Sequence, residues 1–353
     1  MKWLRGFPYR DTLEFREARL VATGRGRPTI VYIMPTRRQF LGCVAAGSLY
    51  ARFGLAAAKP LRGIFIILAT PYTQDKAIDY EDLAAEVGFM NRCGVQGIVW
   101  PQMASEYTRL TREERFHGME VLAKAVKGKR PVLVLGVQGA NVEAALDYAR
   151  RAEALEPDAL IAIPPTEAHS LNDFHEYYRA LGRIAKRPFF IQTTGGAKGV
   201  VPDVNLLTEL AQEFPNFGYV KEEYTPVVQR MSELAAHRPV IKGVFSGNAG
   251  IDLLYEMRLG FDGTMPGAPY ADLYAQVWDL YHAGEQQNAR ELFGKLLLMI
   301  NVDAQIPGAR QHMMKRRGVF KTTASRQLEV KLSPEATQEI EFNFEALRPY
   351  LRA

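Results

Sequence analysis

Residues 218–223 read Gly-Tyr-Val-Lys-Glu-Glu, a short apolar run that ends on one lysine and two glutamates. In a strand, alternation puts Tyr219, Lys221 and Glu223 on one face and Val220 and Glu222 on the other. Were the first face enclosed, burial would disfavour the ammonium and lower the lysine pKa from about 10.4 by as much as about 3–5 units. The resulting free amine attacks a ketone and forms an imine, which acts as an electron sink. The same spacing also suits a structural lysine paired with Glu222 or Glu223. Besides Glu223 in this run, five residues fall at the ends or just beyond the ends of other short apolar runs and are candidates for the same site: Glu106, Thr166, Gln192, Thr193 and Gly247.

The elements that must position these residues follow from periodicity. From residue 63 onward, β-branched apolar runs alternate with amphipathic stretches of helical length, the pattern of βα units around a parallel sheet. Eight strands are expected, over 63–70, 97–100, 131–137, 159–165, 188–194, 219–223, 241–247 and 262–267. Intervening segments such as 80–93 and 141–155 read as helices, the second apolar at Val142, Ala145, Tyr148, Ala149 and Ala152. Eight strand–helix units close a (β/α)8 TIM barrel, whose sites form at the C-terminal ends of the strands. An open doubly wound sheet is the alternative, but the first turn, Ala-Thr-Pro-Tyr-Thr-Gln, lacks a glycine-rich phosphate loop. The barrel is expected over 59–282, with a C-terminal helical extension over 283–353.

Composition narrows the class. The 353 residues are 47% hydrophobic, enough for a large core, which excludes fibrous and disordered chains. The formal charge of +5 is unevenly placed: residues 1–58 hold ten of the 44 basic and three of the 39 acidic residues, leaving 34 and 36 in the body. The body is therefore near neutral, and nothing points to nucleic acid. Within the leader, residues 34–60 carry Arg37, Arg38, Phe40 and Leu41, a weakly apolar stretch and then Ala56, Ala57 and Ala58, the parts of a twin-arginine export signal. The expected start is then Met34, and the expected location is the periplasm or beyond if the signal is used and the cytoplasm if it is not. Two cysteines, one of them in the leader, give no disulfide framework. Six histidines show no metal-ligand spacing, so no metal is expected. No apolar run reaches the roughly 20 residues of a membrane-spanning helix. The basic runs 127–130 and 315–318 read as solvated charge at helix ends.

Several short motifs share one order. They are Ala-Thr-Pro-Tyr at 69–72, the segment 94–115 containing Met-Ala-Ser-Glu and Leu-Thr-Arg-Glu-Glu, Ile-Ala-Ile-Pro-Pro at 161–165, Gly-Tyr-Val-Lys-Glu-Glu, and Phe-Ser-Gly-Asn-Ala-Gly-Ile-Asp at 245–252. Over about residues 61–300 the chain resembles the dihydrodipicolinate synthase and N-acetylneuraminate lyase family of class I aldolases. The resemblance implies that Lys221 is the Schiff-base lysine and that no metal or organic cofactor is needed. It also implies a homotetramer. The substrate carboxylate would sit on the turn holding Ala104, Ser105 and Glu106, with Thr166, Thr193 and Gly247 at the substrate. The family's two threonines on that turn are replaced by Met103 and Ala104, and its strand-five tyrosine by Gln192. Thr166 and Glu167 stand for its tyrosine pair, and Ala197, beside Lys198, for its arginine.

With the hydroxyl relay replaced and the lysine kept, the expected function is a Schiff-base lyase, an aldolase or dehydratase, acting on a 2-keto acid of sugar origin. It is not expected to be a true dihydrodipicolinate synthase. Lys221, Gln192 and Glu223 are the expected catalytic group, with Glu223 and Glu167 as candidate bases. The alternative is a non-catalytic exported barrel that binds a small keto acid.

Overall fold

The computed structural model describes residues 59–353, together with two short strands, Ala18–Leu20 and Ile30–Tyr32, paired antiparallel. The chain divides into two compact units, Met1–Ala58 and Lys59–Ala353. The expected export signal and the start at Met34 lie outside the described residues.

The second unit is a closed barrel of eight parallel strands: β1 (Gly63–Ile67), β2 (Gly97–Trp100), β3 (Val132–Gly136), β4 (Ala159–Ala162), β5 (Phe189–Gln192), β6 (Tyr219–Glu222), β7 (Gly243–Ser246) and β8 (Gly263–Thr264). All eight expected runs contain a strand. Except for β2, the strands stop earlier than the apolar runs do, because the last residues of those runs turn into the loops at the C-terminal face. Between the strands run α1 (Tyr80–Cys93), α2 (Arg112–Ala125), α3 (Val142–Ala154), α4 (Leu171–Gly182), α5 (Val204–Glu213), α6 (Val227–Ala235) and α7 (Leu253–Arg258), and α8 (Ala271–His282) follows β8. Their starts are written in the sequence as caps. Asp79 accepts from the N–H groups of Glu81 and Asp82, and Thr111 and Glu114 form a reciprocal capping box. Gly94 ends α1 at φ 87°, a left-handed conformation that glycine adopts without steric cost.

Alternation divides the strand side chains between two cores. Ile64, Ile66, Ile98, Leu133, Leu135, Leu160, Ile191, Val220 and Val244 face the helices. Phe65, Ile67, Val99, Val134, Ile161, Phe190, Phe245 and Met265 fill the barrel interior, with Tyr219 packed against them. The rings of Phe65 and Phe190 each lie 5.1 Å from that of Phe245, and Phe190 and Tyr219 lie 5.2 Å apart. Each buried ring contributes about 1.5–3 kcal/mol through area removed from water. Together they make the interior a packed floor with no channel through it.

The C-terminal extension consists of α9 (Gln286–Gln305), α10 (Ala309–Arg316) and α11 (Pro334–Glu345). The basic run 315–318 falls at the end of α10, as expected of charge at a helix end, and Lys315 and Arg316 are exposed, but Arg317 departs from that reading. The Arg317 side chain, at the end of α10, is 2% exposed and pairs with the equally buried Asp272 at 2.6 Å. It also donates to the Pro269 carbonyl and lies over the Phe89 ring. Paired and hydrogen-bonded in this way, the charge ties the extension to α8. No helix among the described residues is long and apolar enough to cross a membrane.

Candidate active site

Lys221 stands at the C-terminal end of β6 and points inward, 1% exposed. Tyr219 and Phe190, one inward step earlier on β6 and β5, form the floor beneath it, and Gln192 is its cross-strand partner. The Lys221 ammonium donates to Gln192 Oε1 at 3.1 Å and lies 3.3 Å from Glu223 Oε1. Gln192 Nε2 in turn donates to Glu223 Oε2 at 3.1 Å and to the Thr194 carbonyl at 3.2 Å. Amine, amide and carboxylate therefore form a closed triangle, the three residues expected to carry the chemistry.

The carboxylate is fixed from two other sides. Thr194 Oγ1 donates to Glu223 Oε2 at 2.5 Å, and the Asn248 N–H donates to Oε1 at 3.3 Å. Burial pushes the Glu223 carboxyl up, but the facing Lys221 charge and the Thr194 and Asn248 hydrogen bonds together outweigh it, holding the group below its ordinary value of 4.5. Gly247 makes room for this arrangement: a Cβ there would lie 1.7 Å from Glu223 Oε1. Gly247 thus serves the site by admitting the carboxylate. The next turn is left-handed at Asn248 and Ala249, with φ 44° and 54°, and Tyr274 on α8 holds it by donating to the Ala249 carbonyl at 2.6 Å. Non-glycine residues at positive φ cost energy that the surrounding contacts must offset.

Other expected site residues are placed differently. Thr193 follows Gln192 and so points out of the barrel, where its hydroxyl donates to Glu222 Oε1 at 2.6 Å and accepts from the Glu223 N–H. Glu222 is fully buried on that outer side, accepting also from the Glu223 and Tyr224 N–H groups and pairing with Arg230 at 3.0 Å. These two residues shape the turn after β6 and do not face the amine. Ser105 is buried, and its hydroxyl donates to the Leu68 carbonyl at 2.6 Å while accepting from the Gln102 N–H. Glu106 spends both oxygens on the Ser325 hydroxyl and on the N–H groups of Arg326 and Gln327. Thr166 is exposed, as is Glu167, whose carboxylate accepts from Asn141. Neither contacts Lys221. Lys198 is exposed, and Ala197 is tied by its N–H to the Pro165 carbonyl.

Ala104 does line the interior, packing against its apolar cluster, and Met103 beside it is 52% exposed. A Cβ on Gly195 would lie 3.6 Å from Met103 Sδ and 3.7 Å from Gln192 Nε2, so the thioether overhangs the same mouth as the amide. Residues 103–105 form one 3-10 turn, closed by the Ser105 N–H to the Gln102 carbonyl and the Glu106 N–H to the Met103 carbonyl. Among the described residues the Met103 and Ala104 N–H groups at its start have no acceptor. Free N–H groups of this kind suit an anion. Sequence reasoning missed Thr194, although alternation after Gln192 marks it as the next inward residue. Asn248 acts through its backbone, which no side-chain pattern announces.

A buried primary amine at a strand end beside one carboxylate, with an unsatisfied pair of N–H groups on the turn after β2, fits imine chemistry on a carbonyl compound that carries an acid. A family profile, that of the dihydrodipicolinate synthetase family, matches residues 60–346. The chain belongs to this family. It is a family of class I aldolase-type lyases. Among its relatives are a 4-hydroxy-tetrahydrodipicolinate synthase of Parabacteroides distasonis, 26% identical over 71% of this chain and 85% of that protein, and an L-2-keto-3-deoxyarabonate dehydratase of Azospirillum brasilense, 23% identical over 79% and 92%. The crystal structure of dihydrodipicolinate synthase from Rhodopseudomonas palustris superposes with a TM-score of 0.72 at 22% identity, covering 80% of this chain and 97% of that one. That likeness speaks for the barrel and its C-terminal helices.

Proposed function

We propose that this protein is a Schiff-base lyase that eliminates water from a sugar-derived 2-keto-3-deoxy acid through Lys221. The observation that carries the reading is the closed triangle of Lys221, Gln192 and Glu223 on the barrel floor. The Lys221 amine, after passing a proton to Glu223, attacks C2 of the keto acid. Glu223 returns that proton to the carbinolamine oxygen, which leaves as water, so that a protonated imine and a free Glu223 carboxylate remain. That positive nitrogen acidifies C3, and Glu223, beside the nitrogen, takes the C3 proton to give the enamine. The enamine pair then expels the C4 hydroxyl, which leaves as water with the proton that Glu223 holds. Hydrolysis of the remaining imine releases the product and returns the amine.

Gln192 cannot give or take protons. Its amide holds amine and carboxylate in register, and this speaks against a true dihydrodipicolinate synthase, whose family relay places a tyrosine there. The substrate carboxylate is assigned to the free Met103 and Ala104 N–H groups. The Azospirillum brasilense dehydratase among the relatives supports water loss as the outcome. Borohydride trapping with pyruvate and with 2-keto-3-deoxy sugar acids tests the reading, with intact mass and peptide mapping as the readout. A reduced adduct on Lys221, lighter by one water for the sugar acids, is expected. Pyruvate released from the sugar acids would mean C3–C4 cleavage instead, and no adduct on Lys221 from any keto acid would sink the enzyme reading.

A further inference from the structure

The C-terminal segment after α10 runs back over the catalytic face and ends its run on Glu106. Ser325, 2% exposed, donates its hydroxyl to Glu106 Oε1 at 2.7 Å, and the N–H groups of Arg326 and Gln327 both donate to Oε2 at 2.9 Å. Arg326 then spreads over the two neighbouring loops. Its guanidinium donates to the Lys76 carbonyl after β1, to the Arg109 carbonyl after β2, and in a two-pronged pair to Glu114 at 2.7 and 2.8 Å. Thr322 adds a bond to the Tyr72 carbonyl. Glu106 itself sits at φ 56° and ψ 36°, closing the 3-10 turn through its N–H to Met103. A glutamate has no intrinsic preference for that conformation, and three donors on one carboxylate supply the restraint.

We propose that Glu106 is a positioning residue through which the strap Thr322–Leu328 sets the aim of the Met103 and Ala104 N–H groups, and so governs affinity for the substrate carboxylate. The inference rests on the turn being the carboxylate seat of the proposed lyase. Ser325, 219 positions from Glu106, then shares in recognition without touching substrate. Releasing the carboxylate of Glu106 lets residue 106 leave the left-handed region, and the two N–H groups diverge. The amide and the amine lie on β5 and β6, Glu223 directly follows β6, and all three keep their geometry. Loss should therefore fall on binding of an acid group and spare the amine.

The test uses the full-length protein and two ketones of equal size, pyruvate and its neutral analogue pyruvamide, with borohydride adduct at Lys221 as readout. Glu106→Gln must turn an amide N–H toward one set of donors. It should raise the pyruvate concentration for half-maximal adduct by about tenfold, the effect of one lost charge-assisted hydrogen bond, and leave that for pyruvamide within about twofold. Ser325→Ala should shift pyruvate the same way by less, and Ser325→Thr should restore it. Equal shifts for both ketones, or none for pyruvate, overturn the proposal. Absence of any adduct in the unsubstituted protein instead overturns the lyase reading itself, and the two failures are thereby told apart.

Discussion

A methyl group at position 247 would occupy the space that the Glu223 carboxylate fills, 1.7 Å from Oε1 and 2.5 Å from Cγ. Gly247→Ala must therefore push that carboxylate away from Lys221. Because displacements of about 1 Å from a working geometry cost on the order of a hundredfold, turnover should fall by about that factor. The Lys221 adduct with pyruvate should still form. Turnover within twofold of the unsubstituted protein, measured as kcat/KM, would remove Glu223 from the mechanism. At this scale the sequence was legible where a side chain's role depends on its own strand. Lys221, Gln192 and Glu223 follow from alternation and resemblance. Thr193 and Thr194 were misjudged by one step, which in a strand reverses the face. Ser105 and Glu106 stand on the expected turn, but their partners, Leu68 and residues 325–327, are remote in sequence and no local pattern names them.

Between β7 and α7 another carboxylate is enclosed. Glu256 is 2% exposed, accepts from Ser246 at 2.7 Å, and is pushed up to about 8 by burial, with the nearby Asp252 charge adding to the rise. Unfolded, the group releases its proton near 4.5; folded, it keeps it to about 8. The folded state thus binds more protons across that window, and this contribution to stability is full below about 4.5, declines as pH rises and is gone above about 8, at roughly 1.4 kcal/mol per unit. Glu256→Gln, neutral throughout, should flatten the pH dependence of the urea midpoint between pH 5 and 8. An unchanged slope would show that Glu256 is not its source. The elements themselves were readable because caps and periodicity agree: α1 spans the residues its pattern marks, between Asp79 and Gly94. The burial of Arg317 at the end of α10 was hidden, since a sequence reads it as a surface charge until Asp272 is seen opposite it.

For the molecule as a whole, one face is less finished than the rest. Ile251 and Tyr255, near and on α7, are 39% and 50% exposed and line a groove of about 560 Å³ that Arg258, Arg290 and Glu291 border. Apolar side chains framed by charges of both signs suit a second copy of the same surface. We expect the chain to self-associate there, as family resemblance also suggests. Tyr255→Asp with Ile251→Asp should lower the sedimentation coefficient to that of a smaller species, and a monomeric unsubstituted protein would refute the assignment. The barrel, finally, has its aromatic floor of Phe65, Phe190, Phe245 and Tyr219 directly below the lysine. The reactive amine therefore lies in a cul-de-sac. Whatever enters and whatever leaves must use one doorway, so each departing molecule stands in the path of the next, and reactant and product exclude one another by simple occupancy.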